Sequence, residues 1–354
     1  MAAACMERVS FLGTGSGSGE GGRRGFSSLV LTTKKGSLVM VDCGEGTQLQ
    51  MRRTYFQGPP GTKCIPALKM SRVRAVLITH LHGDHCFGLF GLLTTISMQR
   101  MRRRLVLVGP TGLEKLVTSV LSVSGNSDEE LALRFIELDP TVPHELELEL
   151  EGEEGKEGLA VHATPLQHSM PALGYILLEK EQPRELDARK AMGMGAKGKE
   201  LGLLRAGQDV TVNDMLIRSE DVLLPAPRRR MIAVLQDTCG SEEALEFLRQ
   251  RRRDFDFPVL IHEATHEAAL RELSLSWGHS TSEMAGEFAG RCGAQQLVLT
   301  HFSPRYSSCP MREFLRSGGE EEEEEEKKKQ GEEGQRRCGA GKKEGVSACC
   351  AQRI

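Results

Sequence analysis

Short apolar runs punctuate the chain, each closed by a glycine or a polar residue: 9–13, 28–33, 38–42, 73–80, 105–109, 159–164, 173–178, 231–237, 259–263 and 297–301. Several are apolar without interruption, the pattern of strands covered on both faces. Between them, residues 88–101, 112–123, 242–252 and 282–292 read as helices. The last follows Ser280-Thr281-Ser282-Glu283, residue types that cap a helix N-terminus. Strands interleaved with helices predict an α/β protein with covered sheets.

Two stretches break the pattern. Residues 181–220 are charged and carry Gly193, Gly195, Gly198, Gly202 and Gly207, which suits a protruding, flexible insertion better than a core element. From Gly318 onward the chain is rich in Glu, Lys and Gly, with seven consecutive glutamates at 320–326. Such a segment buries too little apolar surface to offset chain entropy and is expected to be disordered. The organisation expected is one large domain over 1–316, an arm at 181–220 inserted into it, and an acidic tail over 317–354.

Composition narrows the class. At 354 residues and 39% hydrophobic, the chain can bury a substantial core. Its net charge of −3 excludes a generically basic nucleic-acid binder. Basic clusters at Arg100 with Arg102 to Arg104, at Arg228 to Arg230 and at Arg251 to Arg253 are read as solvated surface, one or two of them suited to phosphates if RNA is a partner. No apolar run approaches the ~20 residues of a membrane span, and the first ten residues carry no secretory or mitochondrial signal. The ten cysteines include no C-x-x-C pair, so reduced, intracellular thiols are expected. The expected location is the cytoplasm, with the nucleus as a second compartment.

The chemistry concentrates where apolar runs end. The run 73–79 delivers His80, and His80, His82, Asp84 and His85 fall in the loop before the helix at 88. Imidazole nitrogens and carboxylate oxygens are the donors zinc accepts. A lone histidine is more often a satisfied core residue; four donors at this spacing reverse that expectation. Further donors stand at or just beyond other runs: His168 after 159–164, Asp237 after 231–236 and His301 after 297–300. Singly, a strand-end Asp is about as often a turn cap. Together they complete a two-ion site, with His80, His82 and His168 around one zinc, Asp84, His85 and His301 around the other, and Asp237 between. Asp42 is placed to orient a ligand imidazole from behind.

The arrangement resembles the metallo-β-lactamase superfamily. Phe11-Leu12-Gly13-Thr14-Gly15, Asp42-Cys43-Gly44-Glu45-Gly46-Thr47-Gln48, His262-Glu263-Ala264-Thr265, Gly278-His279-Ser280-Thr281 and Thr300-His301-Phe302-Ser303-Pro304-Arg305-Tyr306 are similar to the short-form tRNase Z family, over about residues 7–306. The resemblance implies an αββα sandwich with an inserted flexible arm. It also implies two zinc ions, replaceable by other divalent ions, and removal of the 3′ trailer from precursor tRNA to leave a 3′-hydroxyl. In that scheme Asp84 accepts the proton of the attacking water. Glu263 and His279 form an acid/orienting pair for the leaving oxygen, and Arg305 holds a phosphate oxygen. Lys197 and Lys199 on the arm contact RNA. A homodimer with no membrane association is expected.

The chain departs from the family at three places. The arm stretch 191–199 has no proline, the loop from Ser16 to Arg24 has glycines where relatives carry a proline, and after Tyr306 the acidic tail stands where a helix and an apolar strand are expected. A missing final strand would expose a sheet edge. Two other functions compete: a thioesterase or lactonase of the same superfamily, and a catalytically inactive RNA-binding scaffold.

Overall fold

A computed structural model describes residues 2–3, 5–17, 24–54, 67–98, 104–125, 131–152, 155–226, 228–306 and 347–350. The apolar runs become strands β1 (Ala2–Ala3), β2 (Met6–Gly13), β3 (Ser28–Thr33), β4 (Leu38–Val41), β5 (Val73–Leu77), β6 (Leu105–Pro110) and β7 (Leu133–Leu138). They continue through β8 (His144–Gly152), β9 (Gly155–Leu166), β10 (Ala172–Leu178), β11 (Val210–Val212), β12 (Met215–Ile217), β13 (Arg229–Leu235), β14 (Phe255–Glu263), β15 (Gln296–Thr300) and β16 (Ser347–Cys350). One sheet runs β2-β3-β4-β5-β6-β7; the other runs β1-β9-β10-β13-β14-β15-β16, with β8 also on β9. From β4 to β7 and from β13 to β16 the pairings are parallel, so strand ends of like polarity gather on one side.

The sheets face each other across a core in which Leu31, Val39 and Leu77 of one meet Val161, Tyr175 and Val234 of the other. On the outer faces, helices Gly88–Met98 and Leu113–Val123 bury Leu89, Leu92 and Val117 against Met40, Val76 and Leu107. Helices Glu242–Arg251 and Ser282–Cys292 bury Leu245, Leu248 and Phe288 against Ala233, Leu260 and Leu297. Each interior strand is therefore covered on both faces, which is why its sequence does not alternate. The architecture is an αββα sandwich.

Several boundaries differ from the sequence reading. The run 73–80 stops as a strand at Leu77, because the Thr79 amide donates to the Asp42 side chain instead of to a ladder. β7 and β8 were not expected, although Glu-Leu-Glu-Leu-Glu-Leu in β8 alternates as a half-covered edge strand should.

The glycine-bearing arm is not devoid of packed structure. It holds helices Ala188–Gly193, Lys199–Arg205 and Ser219–Val222 and the β11–β12 hairpin, around a small core of Ala191, Ala196, Leu204, Val210, Ile217 and Val222. Gly195 and Gly207, both at positive φ, turn the chain just after its first two helices.

Within the tail, one short segment joins the second sheet. Ser347–Cys350 pairs in parallel with β15, from Gln296↔Ser347 to Leu299↔Cys350, and covers the edge expected to lie open. The rest of 307–354, including the glutamate run, lies outside the described residues, as do Arg100, Arg102 and Arg103. Among the described residues Cys5, Cys43, Cys86, Cys239 and Cys292 are free thiols.

Candidate metal centre

Chain ends from both sheets converge on one point. Asp42 follows β4, His80 follows β5, Asp237 follows β13, Glu263 closes β14 and His301 follows β15. His168 comes from the β9–β10 connection, and His82 caps the single helical turn Gly83–Cys86 that carries Asp84 and His85. Asp42 and His301 both adopt left-handed backbone, at φ 58° and 59°, which is uncommon for residues other than glycine. Such strain persists where surrounding contacts over-determine it, and here both residues are buried in the centre.

Hydrogen bonds behind the imidazoles set which nitrogen faces inward. The Thr79 hydroxyl lies 2.9 Å from Asp42 Oδ1 and donates to it, so at 3.0 Å it accepts from His80 Nδ1. The Thr265 hydroxyl donates to Glu263 Oε2 at 2.6 Å and accepts from His301 Nδ1 at 3.0 Å. His85 Nδ1 donates to Asp42 Oδ2 at 2.7 Å, and His168 Nδ1 donates to the Gly278 carbonyl at 2.8 Å. Each ring therefore turns Nε2 toward the centre, the tautomer a ligand imidazole needs.

The inward atoms crowd one carboxylate. Asp237 Oδ2 stands 3.6 Å from His80 Nε2 and 3.7 Å from His168 Nε2. Its Oδ1 stands 3.2 Å from Nε2 of both His85 and His301, and it is buried without a hydrogen-bond partner. Donor atoms of His80, His82, His168 and Asp237 lie within 4.8 Å of one another; so do those of Asp84, His85 and His301, and those of Asp237, His279 and His301. Lone pairs meeting around an unsatisfied carboxylate oxygen require positive charge between them. Divalent cations fit that donor set.

The protonation equilibria carry the same demand. Burial and the neighbouring His85 hold His80 well below its ordinary pKa, so it is neutral. Burial works against ionising Asp237, but His301 and His85 outweigh it and hold that carboxyl well below its usual range. Burial also pulls His85 down, yet Asp237 and Asp42 together raise it well above the ordinary value. Without metal, the centre keeps a proton on His85, and a cation entering there displaces it. Asp84 is likewise held ionised, burial being overcome by His301 and His85.

Beside the donors lies a second pair. Glu263 Oε1 accepts from the Thr238 amide at 2.8 Å and from His279 Nδ1 at 2.8 Å. Burial opposes charge on both, but their mutual attraction lowers Glu263 and raises His279, so each favours the charged form of the other. His279 is placed by the end of helix Arg271–Ser276: Gly278, at φ +72°, donates to the Leu275 carbonyl, and the His279 amide reaches back to the Ser274 carbonyl. This is a Schellman termination.

All seven donors named from the sequence, and the Glu263–His279 pair, are thus brought together. Arg305 is not in this cluster; it is exposed on the Pro304–Tyr306 turn after His301. There, after burial, it is the largest influence holding the His266 imidazole at about 4. Lys197 and Lys199 are exposed on the arm, at the start of helix Lys199–Arg205.

Sequence reasoning missed Thr79 and Thr265, although each hydroxyl stands within two residues of a strand-end donor or carboxylate. It also missed the Gly17 amide, which donates to Asp84 Oδ2 at 2.9 Å. Gly44 and Gly88 let the Asp42 loop lie against the histidine loop: a Cβ at Gly88 would sit 1.8 Å from the Gly44 carbonyl oxygen. Gly88→Ala is expected to cost about 1–3 kcal/mol or more of folding stability and to lower metal content per folded chain. Thermal unfolding and elemental analysis of that variant check both.

Relatives settle the family. A Ribonuclease Z of Geobacillus kaustophilus (strain HTA426) is 35% identical over 299 residues, covering 84% of this chain and 88% of the relative. The chain belongs to the ribonuclease Z family. A second Ribonuclease Z, from Acaryochloris marina (strain MBIC 11017), is 34% identical over 303 residues, covering 85% of this chain and 87% of its own. Among solved structures, human tRNase Z, short form, superposes with a TM-score of 0.56 at 30% identity, over 84% of this chain and 93% of that one. A metallo-β-lactamase fold protein from Bacillus subtilis, at 14% identity and a TM-score of 0.52, shares the fold. The family described as Anti-Pycsar protein Apyc1 also matches, over residues 7–170.

Proposed function

We propose that this ribonuclease Z family member is a zinc-dependent endoribonuclease that removes the 3′ trailer from precursor tRNA, leaving a 3′-hydroxyl. The observation that carries the reading is the Asp237 carboxylate, which presents one oxygen to each of two donor groups beside the Glu263–His279 pair. His80, His82 and His168 would hold one zinc, and Asp84, His85 and His301 the other, with Asp237 between; other divalent ions can take the same donors. Two such ions supply an activated water and neutralise charge gathering on the phosphate.

The protein's own groups do the rest. Asp84, ionised and held by the Gly17 amide, accepts the proton of the attacking water. His279 gives Nδ1–H to Glu263, which leaves Nε2–H to protonate the departing oxygen. Thr238 and Thr265 fix Glu263, so the imidazole is oriented before substrate arrives. Arg305 takes a phosphate oxygen through its planar fork. Lys197 and Lys199 on the arm contact the RNA backbone.

We further propose a homodimer acting in the cytoplasm. Among the described residues no helix is long and apolar enough to cross a membrane. A thioesterase or lactonase would use the same donors on a carbonyl carbon. Challenge with a thioester panel and a trailer-bearing precursor tRNA separates the two: RNA cleavage without thioester turnover is expected, and the reverse outcome overturns the reading. Two zinc equivalents per folded chain by mass spectrometry are expected; far fewer would favour a non-catalytic scaffold.

A further inference from the structure

We infer that Trp277 is a stacking platform for a base in the unpaired 3′ segment of the RNA substrate; the inference rests on the nuclease reading above. Trp277 is the only tryptophan in the chain, and half of its surface is exposed to solvent. Tryptophan is enriched at contact surfaces because its indole joins a broad apolar face to a polar edge. Its neighbour Leu275 is also open, at 44%.

Its place is fixed by the same turn that builds the metal centre. Trp277 closes helix Arg271–Ser276, its amide bonded to the Leu273 and Ser274 carbonyls. The next residue, Gly278, gives its carbonyl to His168 Nδ1, and the one after is His279. A Cβ at Gly278 would meet the Ser169 amide at 2.7 Å, so the turn is held against the His168 loop. The indole backs edge-on against His266, with ring centres 5.7 Å apart, and His266 lies 6.3 Å from the His279 ring. Two ring-to-ring steps thus separate the indole from the group assigned to the leaving oxygen. One or two nucleotides of single-stranded RNA bridge such a gap. Ser276 and Gly278, on either side of Trp277, help wall an open groove of about 540 Å³ that one donor of the metal centre, His168, also lines. A planar, preorganised face at that distance suits a nucleobase, because every base offers a π-face whatever its sequence.

The test uses the full chain with its metal. As Trp277 is the sole tryptophan, stopped-flow mixing with precursor tRNA should quench intrinsic fluorescence before product forms. Trp277→Ala should raise KM for the precursor ~10-fold or more with kcat within about twofold, the size expected for loss of one stacked base. Trp277→Phe, which keeps a stacking face, should recover most of the loss. Unchanged fluorescence at saturating precursor, a KM for Trp277→Ala within twofold of wild type, or a Trp277→Phe variant as impaired as the alanine one each overturns the inference. Wild-type chain that cleaves no precursor overturns the nuclease reading itself, and this inference with it.

Discussion

Asp84→Ala is expected to abolish precursor cleavage while leaving precursor binding within a few-fold of wild type. Asp84 stands between two roles. Its Oδ2 lies 3.5 Å from His301 Nε2 and 3.7 Å from His85 Nε2, which puts it in the second donor group. It is also the ionised carboxylate of the centre with side-chain exposure, at 18%, against 3% for Asp237. On the proposed mechanism alanine would therefore remove the proton acceptor and loosen an ion at once. Loss of a general base alone is worth ~10²–10⁴-fold, and the weakened ion adds to that. Affinity for RNA comes mainly from phosphates contacted elsewhere, so a gel-shift titration should move little. Cleavage by the variant at wild-type rate would remove Asp84 from the mechanism.

The second large effect is expected at the Glu263–His279 pair beside the metal-donor cluster. His279→Ala is expected to lower kcat by ~10²–10⁴-fold, the range for one positioned acid, with metal content retained. Glu263→Gln tests why that acid works. In the folded protein burial pulls His279 down, but the Glu263 carboxylate more than offsets this and raises it. The acid form thus survives to higher pH, and activity that depends on it falls as pH rises through the raised value. Removing the negative charge lowers the His279 pKa, so the alkaline limb of kcat should move to lower pH. A limb that stays in place, or moves upward, denies His279 its role.

Much of this was legible in the sequence, for reasons that particular elements show. Residues 282–292 became a helix with the expected limits because both ends are written locally. The Thr281 side chain accepts from the Met284 amide, and Gly293 turns left-handed at the far end. Residues 28–33 became β3 because an unbroken apolar run between polar ends has few other uses. The seven donors stood out because parallel strands carry functional residues at one end, and the apolar runs pointed to that end.

What was missed depends on distance in space rather than along the chain. The early end of β5 follows from an Asp42 side chain 37 positions away claiming the Thr79 amide. The tautomers of His80 and His301 are set by threonine hydroxyls whose own direction depends on Asp42 and Glu263. The arm's glycines marked it as a protruding insertion but did not reveal its internal packing, where two of them follow short helices that share a core. β16 was hidden in a low-complexity tail, where Ser-Ala-Cys-Cys is small and apolar but carries no strand signature of its own.

The central claim is that the Asp237-centred cluster cuts a phosphodiester with bound metal. Incubating the purified chain with a trailer-bearing precursor tRNA, with and without a chelator, and mapping the 3′ end of the product tests it most directly. The account predicts one cut that releases the trailer and leaves a tRNA 3′-hydroxyl, lost with chelator and restored by added zinc. Cleavage that persists undiminished in the chelator, or no cleavage by a chain holding two zinc equivalents, would contradict it.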